Sequence, residues 1–365
     1  MSATIGGRIV VVMGTRPEVV KCAPVLGALG DEAVSIATGQ HFDRSLFGSF
    51  LDDLGVRDPV AALAIGGARR GAQLGAAVSG LTEMFAAHRP LAVVVQGDTT
   101  TALAGALAAN AEDIPVVHVE AGLRSFDRAM PEEHNRVLVD HISDLCLAPT
   151  DMCAANLMAE SIPASRIVVT GNTVVDALAA LLPGPGPRAE VLRRLGLQRE
   201  RFIVSTLHRP ENVDGDRLAP LLAALADLPL AVVLPMHPRT KARAEAAGLH
   251  ALLDRLHVLD PLPYATFLAL AAECALLVAD SGGVQEEVSV LGRPLVVVRN
   301  STERPEVLGT WATLVSDPAA IAEAAAPAIA EPAATHARLI AIPSPYGTGD
   351  AGERSAAAIR ALLAT

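Results

Sequence analysis

The side chains best suited to proton transfer and anion binding come in short clusters rather than scattered along the chain. The first is Gly14-Thr-Arg-Pro-Glu18 with Lys21 one helical turn on, where Arg16 and Lys21 offer cations of the kind that meets a diphosphate. The second is Gln96-Gly-Asp98-Thr-Thr-Thr101, in which Asp98 is placed either to cap a following helix or to serve as an acid or base. A denser pair follows, His118-Val-Glu120-Ala-Gly-Leu-Arg124 and Pro131-Glu132-Glu133-His134-Asn135-Arg136. His118 and Glu120 alternate, which puts both on one face of a strand, and the spacing of Glu132 and Arg136 also fits an ordinary helical ion pair. A strand-end Glu beside a helix-start pair of Glu residues makes an acidic pocket, where like charges can shift a carboxyl into a useful range.

The later clusters have a different character. Ser205-Thr-Leu-His208-Arg209-Pro-Glu211-Asn212 carries a histidine expected to point into a cleft, His237 sits between prolines, and Asn300-Ser-Thr-Glu303-Arg304-Pro-Glu306 brings another arginine. Ala279-Asp-Ser-Gly-Gly-Val-Gln-Glu-Glu287 reads as a strand-to-helix turn. Ser281, Gly282 and Gly283 would present backbone N–H groups to a phosphate, and Glu286 and Glu287, expected in the first turn, could accept bonds from sugar hydroxyls. Simple helix capping explains the same residue types.

Each cluster follows a short apolar run, and these runs predict the elements that must position the chemistry. Strands are expected at Arg8–Met13, Ala33–Thr38, Leu91–Gln96, Pro115–Glu120, Asp144–Ala148 and Arg166–Thr170, then at Phe202–Thr206, Leu230–Leu234, Leu256–Leu259, Ala275–Ala279 and Pro294–Val298. Continuous apolar strands separated by helical patterns indicate parallel sheets covered on both faces, hence two doubly wound α/β domains. Ligands bind beyond the carboxyl ends of such strands, so two facing sheets would place a cleft between the halves. Pro183-Gly-Pro-Gly-Pro187 is expected to hold neither a helix nor a central strand and so to be the linker. Domains are therefore expected over 1–182 and 188–348, with a last helix in 350–365 returning to the first.

Composition sets the outer bounds. The chain has 365 residues, 51% hydrophobic, 3% aromatic and 19% charged, which suits two domains of a folded, soluble protein. No apolar run reaches the roughly 18 residues a membrane span needs, and the start lacks a signal-peptide core, so a cytoplasmic location is expected. Cys22, Cys146, Cys153 and Cys274 show no metal-ligand spacing and are read as reduced, buried thiols. A net charge of −11 argues against a nucleic-acid partner.

Taken together, these clusters, with Gly171-Asn172-Thr-x-x-Asp176, resemble the non-hydrolysing UDP-N-acetylglucosamine 2-epimerases, collinearly from Gly14 to Gly349. The resemblance implies a GT-B fold of two Rossmann-like domains, usually a homodimer, that interconverts UDP-GlcNAc and UDP-ManNAc without a metal or other cofactor. It implies UDP on Arg16, Lys21, Ser281, Gly282, Gly283, Glu287 and Arg304, with Phe267 near the base. It implies chemistry on Asp98, Glu120, Glu132 and His208. The hydrogen on carbon 2 is not next to a carbonyl, so UDP departure must assist its removal, giving a 2-acetamidoglucal that is re-protonated on the opposite face as UDP returns. A hydrolysing epimerase, a GT-B glycosyltransferase and a nucleotide-sugar sensor are the alternatives. The bacterial members often bind a second UDP-GlcNAc as activator near a Gln-His motif, here Gln40 and His41. Asp43 and Pro210 stand where many relatives carry Gln and Arg, so activation is expected to be weak or differently built.

Overall fold

In a computed structural model, residues 4–39, 51, 54–65, 67 and 69–364 are described. The chain forms two compact units, Met1–Ala180 with Tyr346–Thr365, and Leu181–Pro345.

The first unit is built on seven parallel strands: β1 (Ile9–Met13), β2 (Ala33–Ala37), β3 (Ala61–Ala62), β4 (Ala92–Gln96), β5 (Val116–Val119), β6 (Leu145–Ala148) and β7 (Ile167–Val169). Their order is β3-β2-β1-β4-β5-β6-β7, so the winding reverses between β1 and β4. Ile-Val-Val-Val-Met in β1 and Ala-Val-Val-Val-Gln in β4 are buried along their whole length, as strands covered on both faces must be. The helix Thr100–Ala111 lies close to this sheet. A Cβ on Gly105 would stand 2.8 Å from Val95 Cγ1 and 3.4 Å from Val12 Cβ, and Ala102, Ala104 and Ala106 are fully buried beside it. Small side chains thus set the distance between this helix and the sheet.

The second unit repeats the plan with β8 (Phe202–Thr206), β9 (Ala231–Pro235), β10 (His257–Leu259), β11 (Leu276–Ala279), β12 (Leu295–Val298) and β13 (Ala312–Val315), again all parallel. The order β10-β9-β8-β11-β12-β13 reverses between β8 and β11. Its core joins Ile203, Val232, Val278 and Val296 to Leu221, Leu225 and Ile321 of the covering helices. The doubly wound α/β expectation is met in both units, and each expected strand is present to within about a residue at its ends.

Two local expectations are corrected. Pro183–Pro187 was expected to hold no helix, but Pro185 and Pro187 lie in the first turn of the helix Pro185–Arg194, with Gly184 as N-cap. A proline early in a helix has no N–H to lose and a φ already suited to it. Glu286 and Glu287 are not in the first turn of their helix, which begins at Gly282 and has no acidic residue there.

The C-terminal helix Ala351–Leu363 packs along Arg16–Leu29 within the first unit. Gly352 makes the contact, since a Cβ there would meet Pro24 O at 2.7 Å, and Gly352 N donates to Asp176 Oδ1 at 2.9 Å. Among the described residues no helix is long and apolar enough to cross a membrane. The four cysteines are free and buried, and burial pushes the Cys22, Cys146 and Cys274 thiols up.

Candidate active site

In the first unit the chemistry gathers where β1, β4 and β5 end, at the switch point between β1 and β4 where α/β sheets bind ligands. Gly14 has no room for a side chain: a Cβ would fall 2.1 Å from Thr101 Oγ1 and 2.4 Å from Thr38 Oγ1. That close fit fixes the loop from which Arg16 begins its helix.

Glu120 does not share a strand with His118 as the alternation suggests. β5 stops at Val119, and Glu120 takes a left-handed φ of 69°, so its side chain leaves the strand pattern. Its carboxylate accepts from Lys21 Nζ and Gln96 Nε2, and both Lys21 and Glu120 are buried. Lys21 therefore sits against Glu120. His118 is held elsewhere, with Nε2 donating to Gly97 O at 2.8 Å and Nδ1 lying 2.6 Å from Asp140 Oδ1. Burial works to raise the Asp140 carboxyl, but His118 and Arg124 beside it hold it below its ordinary value.

Asp98 is half-buried and does not cap the next helix. Thr99 does, accepting from Ala102 N at 3.0 Å, while Asp98 pairs with the Arg136 guanidinium and its carbonyl accepts from Asn135 Nδ2 at 2.8 Å. Arg136 does not pair with Glu132 either. Its second partner is the buried Glu133, at 2.5 Å, whose carboxylate also accepts from Ser125 N and Phe126 N at 3.0 and 2.8 Å. Glu132 is left half-buried in the first turn of its helix.

Glu18 is the acid whose placement sequence reasoning passed over. It is fully buried, and its carboxylate accepts from Gly14 N at 3.0 Å, Thr15 Oγ1 at 2.7 Å and Thr99 Oγ1 at 2.6 Å. Burial pushes its carboxyl up to about 7, against the opposing effect of these bonds. The spacing Thr15-x-x-Glu18 is that of a capping box, a signal that was available from sequence.

In the second unit the switch point lies between β8 and β11. Asp280 organises it, accepting from His208 N at 3.0 Å, Arg209 N at 3.0 Å and Asn212 Nδ2 at 3.0 Å, with His208 Nδ1 3.1 Å away. Burial would raise the Asp280 carboxyl, yet His208, Asn212 and Arg209 hold it below its usual range. His208 itself is about half exposed, with its orientation set by a buried carboxylate.

Ser281 is the N-cap of Gly282–Leu291 and makes no side-chain capping bond. Arg304 lies across this helix start, as the sequence suggests: a Cβ on Gly282 would stand 2.8 Å from Arg304 Nη1, and the guanidinium pairs with Glu286 at 2.7 Å and with Glu303. Gly283 is next to Glu287, with 3.7 Å from its would-be Cβ to Glu287 Oε1. Glu287 accepts from Tyr264 Oη at 2.7 Å, and the Tyr264 and Phe267 rings stack with centroids 6.5 Å apart. Burial and the Glu287 charge push the Tyr264 hydroxyl well up.

Gln40, His41 and Asp43 lie outside the described residues. Among the described residues no group of His, Cys, Asp and Glu side chains is arranged to hold a metal ion.

The family model for UDP-N-acetylglucosamine 2-epimerase matches residues 28–360. The UDP-N-acetylglucosamine 2-epimerase of Methanococcus maripaludis is 38% identical over 324 residues, 85% of this chain and 88% of the relative. A UDP-2,3-diacetamido-2,3-dideoxy-D-glucuronate 2-epimerase from Pseudomonas aeruginosa is 36% identical over 320 residues, 84% of this chain and 88% of the relative. The solved structure of the Methanocaldococcus jannaschii UDP-GlcNAc 2-epimerase in complex with UDP-GlcNAc and UDP is similar with a TM-score of 0.86 at 34% identity, over 98% of this chain and 100% of the other. With a family model spanning most of its length and relatives this similar over most of theirs, the chain belongs to the UDP-N-acetylglucosamine 2-epimerase family, a family of isomerases.

Proposed function

We propose that this enzyme is a non-hydrolysing 2-epimerase that interconverts UDP-GlcNAc and UDP-ManNAc by elimination and re-addition of UDP. The observation that carries the reading is the gathering of acids at the first unit's switch point. A Cβ on Gly97 would lie 3.4 Å from Glu120 Oε2, so the Asp98 loop and the Glu120 carboxylate are neighbours.

The roles divide by unit. In the second, the N–H groups of Ser281–Gly283 and the Arg304 guanidinium receive the diphosphate, Glu287 accepts from ribose hydroxyls, and Phe267 lies near the uracil. Arg16 and Lys21 of the first unit are assigned to the same anion. As UDP departs from carbon 1, a carboxylate from the set Asp98, Glu120 and Glu132 takes the hydrogen on carbon 2. A second group returns a proton to the other face, and His208, held by Asp280, assists the leaving diphosphate. Lys21 beside Glu120 and Arg136 beside Asp98 offset charge that would be costly alone in a buried loop.

The test is proton NMR of the purified protein with UDP-GlcNAc in deuterium oxide. UDP-ManNAc carrying deuterium at carbon 2 is expected. Retention of the original hydrogen overturns the elimination route, and free ManNAc with UDP as the only products overturns the non-hydrolysing reading. The Pseudomonas aeruginosa relative favours a second reading, a diacetamido uronate as the sugar. Faster turnover of that UDP-sugar than of UDP-GlcNAc would establish it.

A further inference from the structure

The geometry points to Glu18 as a positioning residue for this reaction: its carboxylate ties the loop that carries Arg16 to the loop that carries Asp98, and Thr99 is the link. This rests on the functional reading above, which gives Arg16 to the diphosphate and Asp98 to proton transfer. Glu18 touches no reacting atom, since it is fully buried.

The connection can be followed atom by atom. On one side, Glu18 Oε2 accepts from Gly14 N at 3.0 Å and Thr15 Oγ1 at 2.7 Å, which closes the β1 loop immediately before Arg16. On the other, Oε1 accepts from Thr99 Oγ1 at 2.6 Å, and that oxygen in turn accepts from Ala102 N at 3.0 Å. The Thr99 hydroxyl thus both caps the Thr100–Ala111 helix and joins it to Glu18, and Asp98 is its immediate chain neighbour. Helix capping alone would be satisfied by the second bond. The first, to a carboxylate 81 residues away in sequence, contributes nothing to the cap itself.

Beneath the connection the packing leaves little slack. Gly14 rests against Thr38 and Thr101, whose hydroxyls are 2.7 Å apart, so a shift of the loop after β1 is transmitted to the start of the Thr100–Ala111 helix. Three donors converging on one buried carboxylate therefore hold the two loops in register.

Steady-state kinetics of the full chain with UDP-GlcNAc, read with melting temperatures, test this. A reacting group displaced by about 1 Å costs on the order of 100-fold in rate, so Thr99→Val should lower kcat by about 10- to 100-fold. Its KM should hold, because the β1 side remains tied. Thr99→Ser, which restores the hydroxyl, should recover most of that rate. Glu18→Ala cuts both sides, so it should lower kcat comparably and raise KM as well. The double variant Glu18→Ala with Thr99→Val should then be no slower than Glu18→Ala alone, because both changes remove one shared bond. A Thr99→Val protein that melts earlier but keeps full kcat shows a cap and nothing more, and overturns the inference. Additive losses in the double variant overturn it too. A wild-type protein that does not turn over UDP-GlcNAc defeats the functional reading instead, and the inference falls with it.

Discussion

Three features meet on Glu120, the acid we assign to proton transfer: a left-handed backbone, a lysine partner and a glutamine donor. Glu120→Gln keeps the shape and removes the charge, so turnover should fall by about 10² to 10⁴ while UDP affinity by calorimetry stays near wild type. Near-normal turnover would leave Glu120 as the partner of Lys21 only and pass its role to Asp98. Glu18 makes a different prediction. Burial pushes its carboxyl up from the ordinary 4.5 to about 7 in the folded protein, so between those values the native state binds more protons than the unfolded chain. The stability this group contributes is full below the unfolded value and is lost as pH rises toward 7, by about 3 kcal/mol. Denaturant unfolding of wild type and Glu18→Gln at about pH 5 and about pH 8 isolates it: the gap between the two proteins should change with pH by most of that amount. Much at this scale was legible in the residue types. What could not be read was pairing: Arg136 choosing Asp98 over Glu132, or Asp280 turning back to His208 instead of capping its own helix, depends on contacts between segments far apart in the chain.

The elements were easier to read than their partners. Strands such as Ile9–Met13 and Leu295–Val298 are apolar runs bounded by polar clusters, and burial on both faces leaves them no other role. The two strands without a signal are both sheet edges: Ala61–Ala62 is only two residues long, and Ala312–Val315 is partly exposed with mixed polarity. Several of the residues assigned to the nucleotide sit at helix starts. At Gly282 a methyl group would push on Arg304 Nη1 from 2.8 Å, so Gly282→Ala should move the guanidinium off the helix N-terminus. UDP binding measured by calorimetry should weaken by about 1 to 3 kcal/mol, the usual cost of disturbing hydrogen bonds to a charged group. Unchanged affinity would mean that Arg304 belongs to Glu286 and Glu303 rather than to the nucleotide.

For the molecule as a whole, the chain builds most of one unit, builds the other from Leu181 to Pro345, and then returns to the first. Gly352 is where the return docks, 2.7 Å from Pro24 O to a would-be Cβ, with backbone that cannot step aside cheaply. Gly352→Ala should lower stability by about 1 to 3 kcal/mol, the range for overpacking a tight contact, and calorimetric melting should show it. An unchanged melting profile would mean that the helix contributes little to holding the first unit together. The returning helix also sets an order of events during synthesis. The second unit lies whole between the two parts of the first, so a ribosome that has made residues through Pro345 has delivered everything the second needs while the first still lacks the partner of Arg16–Leu29. The unit to which we assign the proton-transfer acids is therefore the later of the two to receive all of its residues, and the unit assigned to the nucleotide is the earlier.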